Sequence, residues 1–457
     1  MITTAAPDPA SVWPVPPPTF GDALEADASA LAEYVATGEA LLAELPPKPE
    51  RDASQQRFAE AAHAAARIAR RRFLALHTDA VYDALTEGRS RYVRLPELVE
   101  SAAERFPGLV PNRAQLASER AFIQADRDGR EIDQGIFCGA VLRSPVAGPH
   151  LVDAMLRPTP RARDLLHDFR ATGRAELTSV LVERRGHAAH VTFRNAQSLN
   201  AEDDQLIADM ETAVDLVLLE DRVRVGVLRG GEVDHPRYRG KRVFSAGINL
   251  KDMRNGAISF VEFLMGRELG YINKMLRGLL VDPSAWLWSD RVTQKSWLGV
   301  VDTFAIGGGM QLLLVMDRVI AEQDAYVSLP AADEGIVPGL GNLRLTRLTG
   351  ARCARQVILG GRRIQMTDPE ARLVCDEVVP AEDIDEAVER AVCELGAPAV
   401  SANRQMLNLA EERLDHFREY LAEFAVTQVA RAYSDDVLAK VEKRWQRSRS
   451  RAEGSGG

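Results

Sequence analysis

Three consecutive glycines that stand directly before an apolar run are the feature of this chain best suited to chemistry. Gly307, Gly308 and Gly309 lie in AIGGGMQLLLVM, at 305–316. Residues without a Cβ let a ligand approach the backbone closely, and the first N–H groups of a helix have no partner inside that helix. Such a helix start binds anions, including an oxygen that gains negative charge during a reaction. The alternative is that the glycines only permit tight packing of a helix on a strand.

A second segment, VFSAGINLKDM at 243–253, supports the chemical interpretation. In order and internal spacing, it and residues 305–350 are similar to the two signature regions of the crotonase (enoyl-CoA hydratase/isomerase) superfamily, and the resemblance covers about residues 177–380. It implies that the N–H groups of Ile248 and Gly308 converge on the thioester oxygen of an acyl-CoA, each contributing about 3 kcal/mol to stabilising an enolate. It also implies an α/β fold, a crotonase-type ββα spiral core with an α-helical N-terminal domain and C-terminal helices.

The positions where hydratases of this superfamily carry their two proton-transferring glutamates hold other residues here. One such position is the third after the middle glycine and the other directly follows the proline of the next strand, and these are Gln311 and Ala331. An amide does not exchange a proton near neutral pH, and a methyl group forms no hydrogen bond. Asp333 and Glu334 lie two and three residues further on and are equally well explained as solvated loop charges. We therefore expect no water addition by the usual acid–base pair.

The chain resembles one branch of the superfamily, the cofactor-independent 1,2-dioxygenases of arylacetyl-CoA thioesters. Three features carry this resemblance: an oxyanion site without these glutamates, the helical N-terminal region, and GMQ after the glycines. The resemblance implies that (3,5-dihydroxyphenyl)acetyl-CoA loses an α-proton, reacts with O2 and leaves as the arylglyoxylate and free CoA, in arylglycine biosynthesis for nonribosomal peptide antibiotics. It implies no metal and no organic cofactor. The eight histidines form no recognisable metal triad, and a GxGxxG fingerprint is missing from the sequence.

The same resemblance assigns a stretch of the chain to the CoA part of the substrate. The loop HPRYRGK, at 235–241, precedes the SAGINL segment and offers Arg237, Arg239 and Lys241 to phosphates, which suits an acidic protein that binds an anion. A solvated basic loop explains these residues equally well. The expected CoA contacts are His235, Pro236, Arg237, Tyr238, Ala246, Gly247, Ile248, Asn249, Leu250 and Lys251.

Five further residues are expected around the acyl group. Glu202 would accept hydrogen bonds from ring hydroxyls, Arg267 would orient the substrate or stabilise negative charge, and Gln311 would face the pocket one helical turn beyond the glycines. The alternatives are a first-turn helix acid for Glu202 and a surface arginine for Arg267. Ile336 and Val337 are candidates for a dry O2 compartment, although core packing explains them better. The catalytic set is therefore Ile248, Gly308, Gln311 and Arg267.

Two patterns of apolar residues predict the elements that must position these groups. Residues from about 20 to 173 show helical spacing. LTSVLVERRGHAAHVTF, at 177–193, alternates around Arg185-Gly186 and predicts a β-hairpin. A helical run at 201–221 and a strand at 222–230 follow, and 298–330 reads as a strand, the glycine turn, a buried helix and a short strand. Beyond residue 380 the chain again looks helical.

Composition bounds the class of protein. The 457 residues exceed what one core normally supports, and 46% hydrophobic with 27% charged residues is typical of a soluble globular protein. A formal net charge of −9 gives no general attraction for nucleic acid or an anionic membrane. Four cysteines without a CxxC pair, and an N-terminus without a signal-peptide pattern, indicate a reducing cytoplasm.

We expect four segments along the chain: an α-helical N-terminal domain at 1–175, an acyl-CoA-binding core at 176–395, a C-terminal helical segment at 396–450 for oligomerisation or closure of the active site, and a flexible tail at 451–457. Family members are trimers that pair into hexamers, so the resemblance implies a homo-oligomer. Other functions remain open at this point: a crotonase-type isomerase, decarboxylase or thioester hydrolase with a different base, or a non-catalytic CoA-binding scaffold.

Overall fold

The computed structural model describes residues 13–454, which form two compact units. The first unit comprises residues 13–154 together with 418–435, and it is helical. The first twelve residues of the proline-rich stretch at 1–20, which we expect to be a flexible lead-in, and the last three residues of the expected tail lie outside the described residues. The helices of the first unit are α1 (Leu24–Ala43), α2 (Ala53–Leu85), α3 (Leu95–Arg105), α4 (Arg113–Arg120), α5 (Glu131–Arg143) and α6 (Ala147–Met155), joined later in the chain by most of α18 (Leu414–Ala432).

The long helix α2 shows how local sequence determines an element of this unit. Asp52 caps it by accepting hydrogen bonds from the backbone of Ser54 and Gln55, while the Gln55 side chain accepts from the Asp52 N–H. Such a capping box satisfies N–H groups that would otherwise have no partner. The helical interpretation of the N-terminal region is confirmed.

The second unit comprises residues 155–417 and 436–454 and is built on a mixed sheet. Seven strands run in the order β1-β2-β3-β4-β7-β9-β12, and β8, β10 and β11 form a smaller sheet. The strands are β1 (Arg174–Glu176), β2 (Val180–Arg185), β3 (Ala188–Phe193), β4 (Val225–Gly230), β5 (Leu279–Leu280), β6 (Val292–Thr293), β7 (Ser296–Val301), β8 (Phe304–Ile306), β9 (Arg318–Glu322), β10 (Tyr326–Ser328), β11 (Ile364–Gln365) and β12 (Glu377–Val379).

The helices of this unit connect the strands and cover the sheet. They are α7 (Pro160–Thr172), α8 (Asp204–Leu219), α9 (Leu250–Asn255), α10 (Gly266–Leu269), α11 (Tyr271–Arg277), α12 (Trp288–Arg291), α13 (Gly308–Leu313), α14 (Ala331–Glu334), α15 (Gly341–Ile358), α16 (Ile384–Leu395), α17 (Pro398–Glu411) and α19 (Asp435–Gly454). A π-helical turn spans Phe260–Met265, and 3₁₀ turns occur at Lys48–Glu50, Gln124–Asp126, Ala196–Ser198, Pro369–Leu373 and Ala381–Asp383.

The predicted hairpin and strand–helix–strand unit are both present. β2 and β3 pair antiparallel with Arg185 opposite Ala188, and Gly186 has φ 58° at the turn. β3, β4, β7, β9 and β12 then pair in parallel. Every residue of β7 is buried, as expected for a parallel strand covered on both faces. One face of the sheet packs on the main apolar core with α8, and the other on α16.

The compact units do not begin and end where the four expected segments do. Helix α7 packs with α8 and β1 and lies in the second unit, whereas most of α18 lies in the first. These assignments rest on pairings between residues far apart in the chain, which local periodicity does not report. Residues 451–454 of the expected tail are the last residues of α19.

Candidate active site

Glu202 is fixed by a short parallel bridge to the SAGINL segment. Its N–H donates to Gly247 O at 2.7 Å, and its own carbonyl accepts from Asn249 N at 2.9 Å. In such a bridge the N–H of the residue between the two partners, Ile248, points away from Glu202. Glu202 is 1% exposed and precedes the N-cap of α8, Asp203, so it is not a solvated helix acid.

Two glycine turns meet beside this bridge. Gly247 and Gly307 have φ +85° and +56°, values that L side chains rarely adopt. A Cβ on Gly247 would lie 3.4 Å from Gly308 N, so the two backbones approach closely. Within the described part of the chain, neither the Ile248 N–H nor the Gly308 N–H has a hydrogen-bond acceptor. Two unpaired donors therefore lie on adjoining loops, an arrangement that can receive a negatively charged oxygen.

Arg267 lies on α10, which follows a π-helical turn. Such turns often occur at functional sites because they shift the direction of side chains. The helical path breaks again at Gly270, where ψ is −111°, before α11 begins. Arg267 is 4% exposed, so the surface alternative for this residue is wrong.

The Arg267 guanidinium joins the elements of the site. Nε and Nη2 contact the two oxygens of Glu202 at 2.6 and 3.1 Å, and Nη2 also donates to Gly308 O at 2.7 Å. Nη1 donates to Gln311 Oε1 at 3.1 Å and to Glu268 Oε1 at 2.8 Å. Burial alone would lower the pKa of Arg267, but the charges of Glu202 and its neighbours outweigh burial and raise it. The guanidinium is therefore a permanent cation.

Gln311 and Ala331, which stand where the hydratases have their glutamates, differ in environment. Gln311 is half-buried, one turn along α13, and its side-chain oxygen is the acceptor for Arg267. Ala331 is buried as the first residue of α14. Asp333 is exposed and Glu334 is half-buried. Among the expected site residues, Glu202, Ile248, Arg267, Gly308 and Gln311 are thus brought together.

Glu268, Tyr271 and Arg344 also belong to this region, and the sequence interpretation missed them. Glu268 follows Arg267 directly, and adjacent residues of a regular helix point in different directions, yet both are buried. Burial raises the pKa of Tyr271 well above its usual value. Arg344 on α15 lies with its Nη1 3.8 Å from Glu268 Oε2. The only local signal was a run of charged residues inside an apolar stretch, GRELGYINK.

The expected CoA-contacting residues form a loop and a helix start. His235 O accepts from Tyr238 N at 2.8 Å, and the two rings lie 5.6 Å apart. Pro236 and Arg237 are exposed, and the Arg237 guanidinium lies over the Tyr238 ring. Arg239 and Lys241 are exposed as well, which is compatible with either a phosphate contact or a solvated loop.

The second part of the expected CoA contact is the SAGINL segment itself. Asn249 caps α9 by accepting from the N–H groups of Lys251 and Asp252. Ala246 and Leu250 are half-buried, and Lys251 is exposed. The backbone of this segment is thus fixed by a capped helix on one side and by the Glu202 bridge on the other.

Ile336 and Val337 lie in the turn after α14. Ile336 packs against the main core, as the packing alternative predicted. Val337 O accepts from Gly339 N, and a Cβ on Gly339 would lie 2.8 Å from Gln311 Oε1. This turn therefore reaches the neighbourhood of Gln311.

Neither a group of metal-ligating side chains nor a membrane-spanning helix occurs in the part of the chain that the structure describes. Over residues 13–454, no three or more His, Cys, Asp or Glu side chains are grouped in a way that could hold a metal ion. In the same part of the chain, every helix is too short or too polar to cross a membrane.

The chain is similar to known proteins of one enzyme family. Residues 287–439 match the profile of the Enoyl-CoA hydratase/isomerase family. The chain is 54% identical to the (3,5-dihydroxyphenyl)acetyl-CoA 1,2-dioxygenase of Amycolatopsis orientalis over 93% of this chain and 97% of that protein. It is 27% identical to the short-chain-enoyl-CoA hydratase of Clostridium acetobutylicum over 51% of this chain and 82% of that protein. A crystal structure of an enoyl-CoA hydratase from Mycobacterium avium subsp. paratuberculosis superposes with a TM-score of 0.49 at 20% identity, covering 60% of this chain and 97% of that one.

Proposed function

Because this chain belongs to the enoyl-CoA hydratase/isomerase (crotonase) family, we propose that it is a dioxygenase of that family that converts (3,5-dihydroxyphenyl)acetyl-CoA and O2 into (3,5-dihydroxyphenyl)glyoxylate and free CoA. The balanced reaction is ArCH2–CO–SCoA + O2 → ArCO–COO⁻ + CoASH + H⁺. The observation that carries the proposal is that two unpaired backbone donors adjoin Gln311, where the family's hydratases have a glutamate. The 54% identity over nearly the full length supports the same substrate.

Ile248 and Gly308 are the proposed oxyanion hole. Their N–H groups would receive the thioester oxygen as the α-carbon loses its proton and the oxygen gains charge. Preorganised donors are worth most where no solvent reorganisation is needed, and both donors belong to turns fixed by positive-φ glycines. The resulting carbanion is delocalised into the thioester and into the aromatic ring.

The following steps need only this carbanion and dioxygen. One electron passes from the carbanion to O2, and the two radicals combine into a bond between the α-carbon and oxygen. The terminal peroxide oxygen then attacks the thioester carbonyl, and CoA leaves as a thiolate. The O–O bond breaks as the second α-hydrogen leaves as a proton, which yields the arylglyoxylate. We therefore propose that the reaction uses no metal and no organic cofactor.

The acyl pocket is proposed to be formed by the residues around Arg267. Glu202 keeps free lone pairs after binding Arg267, because each carboxylate oxygen accepts more than one hydrogen bond. It would accept hydrogen bonds from the ring hydroxyls. Gln311 would contact the acyl group without adding a negative charge, and Ile336 and Val337 would line the O2 compartment.

The CoA part of the substrate is proposed to lie along residues 235–238 and 246–251. The exposed Arg237 and Lys251 offer cationic groups to phosphates. We further propose a homo-oligomer, a trimer or a dimer of trimers, located in the cytoplasm, that binds neither nucleic acid nor membrane and serves arylglycine formation for a nonribosomal peptide antibiotic.

Oxygen uptake tests the proposal. Purified, metal-depleted protein is mixed with (3,5-dihydroxyphenyl)acetyl-CoA, and dissolved O2 and free thiol are followed together. We expect one O2 consumed for each thiol released. Thiol release without O2 uptake would identify a thioester hydrolase instead.

Two substrate controls sharpen this test. Phenylacetyl-CoA lacks the ring hydroxyls, and its slower turnover is expected if Glu202 binds them. Crotonyl-CoA is the substrate of a hydratase, and hydration of it at a rate comparable to the oxygenation would contradict the proposed loss of acid–base chemistry.

A further inference from the structure

A row of buried charges continues from the site into the C-terminal part of the second unit. It begins at Glu202 and Arg267 and passes through Glu268 to Arg344 and Glu412. Glu412 immediately follows helix α17, so it lies more than 200 residues from Glu202 in sequence. All five residues are at most 4% exposed. The site is therefore connected through ion pairs to a residue that does not border it.

Signs alternate along this row, and the charges nearly balance. Glu412 receives both Nε and Nη2 of Arg344 at 3.0 Å. Arg277 and Arg347 each lie 3.4 Å from one of its oxygens. Burial favours the neutral acid, but the attraction of Arg344 and the two other arginines outweighs it and lowers the pKa of Glu412 to about 2. Glu412 is therefore a permanent anion at neutral pH.

Glu268 connects Arg267 to Arg344 in this row, but its two carboxylate oxygens differ in their contacts. Its Oε1 accepts from Arg267 Nη1 at 2.8 Å, whereas its Oε2 lies 3.8 Å from Arg344 Nη1 and has no hydrogen-bond partner among the described residues. Arg344 does not come closer because Glu412 holds it by two atoms. Without the charge of Glu412, Arg344 would have only Glu268 as an anionic partner and would draw it away from Arg267.

The helix that precedes Glu412 is itself fixed to the site's helical segment. Arg404 Nη2 donates to Met275 O at 2.6 Å, and Asn408 Nδ2 donates to Leu276 O at 2.8 Å. Arg277 Nη2 donates to Glu412 O at 2.9 Å. These contacts attach α17 to the end of α11, the helix that begins with Tyr271. Glu412 is thus held at a defined distance from Glu268.

We propose that Glu412 is a positioning residue, which keeps Arg344 away from Glu268 and so keeps Arg267 aligned with Glu202, Gln311 and the Gly308 carbonyl. The proposal rests on the proposed function only for its kinetic assay. Its physical basis is that a buried guanidinium whose carboxylate partner is removed is left as an uncompensated charge, and the anion then nearest to Arg344 is Glu268.

The test is a double-variant cycle with Glu412→Gln and Arg344→Met. Removing Glu412 alone leaves an unbalanced cation, and we expect kcat to fall about tenfold while KM for the acyl-CoA stays within about twofold. Removing both restores the charge balance and frees Glu268 for Arg267, so the double variant should recover at least about threefold of that loss. If the fall of kcat in the double variant equals the product of the falls in the two single variants, the proposal is overturned.

Glu220→Gln is the matched control. Glu220 is as buried as Glu412 and also has two arginine partners, Arg184 and Arg222, but it contacts none of the residues in the row. Its variant reports the general cost of losing a buried, doubly paired carboxylate. An equal fall of kcat in Glu220→Gln would show that the effect of Glu412 is only structural, which contradicts the proposal.

A second measurement does not depend on activity. In protein labelled with ¹⁵N-arginine, the Arg267 Nε–H resonance, assigned through Arg267→Lys, should move in Glu412→Gln, return towards its wild-type position in the double variant and stay unchanged in Glu220→Gln. If the chemical shift of this resonance did not change in Glu412→Gln, the proposal would be refuted. This outcome can be read even if no O2 uptake is found and the proposed function is wrong. Should Glu412→Gln not fold, the charge-balanced double variant must still keep a near wild-type resonance.

Discussion

Arg267 and Glu202 form a two-atom ion pair, with Nε to Oε2 at 2.6 Å and Nη2 to Oε1 at 3.1 Å, directly beside Gly308. A Cβ on Gly308 would lie 2.5 Å from the same Glu202 oxygen that receives Arg267 Nε. The ion pair thus closes one side of the loop that carries a proposed oxyanion donor.

Gly308→Ala tests the closeness of Glu202 to the loop. The added methyl group has no room unless the carboxylate moves, and Arg267 holds the carboxylate in place. We expect kcat/KM for O2 uptake to fall about 100-fold or more, because the Gly308 N–H shifts from the oxyanion position. Gly21→Ala, with nothing within 4 Å of the new methyl group, is the control and should have wild-type kinetics.

Arg267→Lys separates geometry from charge. The planar guanidinium contacts the two Glu202 oxygens, Gln311 and the Gly308 carbonyl at once. A lysine ammonium group keeps the positive charge but cannot make all of these contacts. We expect kcat to fall about 100-fold, measured as O2 uptake at saturating substrate. Wild-type kcat in this variant would mean that only the charge matters. Arg170→Lys, on a half-exposed arginine, controls for the exchange itself.

Gln311→Glu introduces the family's missing acid. A carboxylate there lies near Glu202, Glu268 and the developing enolate, so repulsion should slow α-proton loss about tenfold or more near neutral pH. Protonation of the new acid removes the repulsion, so O2 uptake should recover as the pH falls. Gln311→Met changes the hydrogen bond without adding charge, and a loss equal to that of Gln311→Glu would mean that charge is not the cause.

Acid should weaken the fold through Glu412. Its pKa is about 2 in the folded protein against an ordinary value of 4.5, so its contribution is complete above pH about 4.5 and is lost as the pH falls towards 2. The difference corresponds to roughly 3 kcal/mol at most. Urea midpoints measured between pH 5 and 3 should therefore drop more steeply in the wild type than in Glu412→Gln. Parallel pH profiles would show that Glu412 is not held as an anion.

The sequence predicted those parts of the site that depend on local pattern. The predicted hairpin has its turn at Gly186, and helix α8 and strand β4 follow it as predicted. These elements are specified by the spacing of apolar residues and by a turn glycine. That the two segments containing Ile248 and Gly308 meet was instead implied by the family resemblance. The fold class followed from the resemblance, and the 54% identical relative confirms the family.

The long-range part of the site was not predictable in this way. Glu268, Arg344 and Glu412 meet across stretches of about 70 residues, and neither periodicity nor spacing encodes which buried acid faces which buried base. Arg267 and Glu268 are adjacent yet both buried, in a short helix between a π-helical turn and the break at Gly270, which regular helical spacing does not predict. For the same reason Arg267 could not be distinguished from a surface arginine.

Glu268 has one oxygen bonded to Arg267 and one without a hydrogen-bond partner among the described residues, which limits what can replace Gln311 nearby. A glutamate at position 311 would add a third carboxylate to Glu202 and Glu268 around Arg267. We therefore expect Gln311→Glu combined with Ala331→Glu to give no detectable hydration of crotonyl-CoA, because Arg267 would then be shared among three carboxylates.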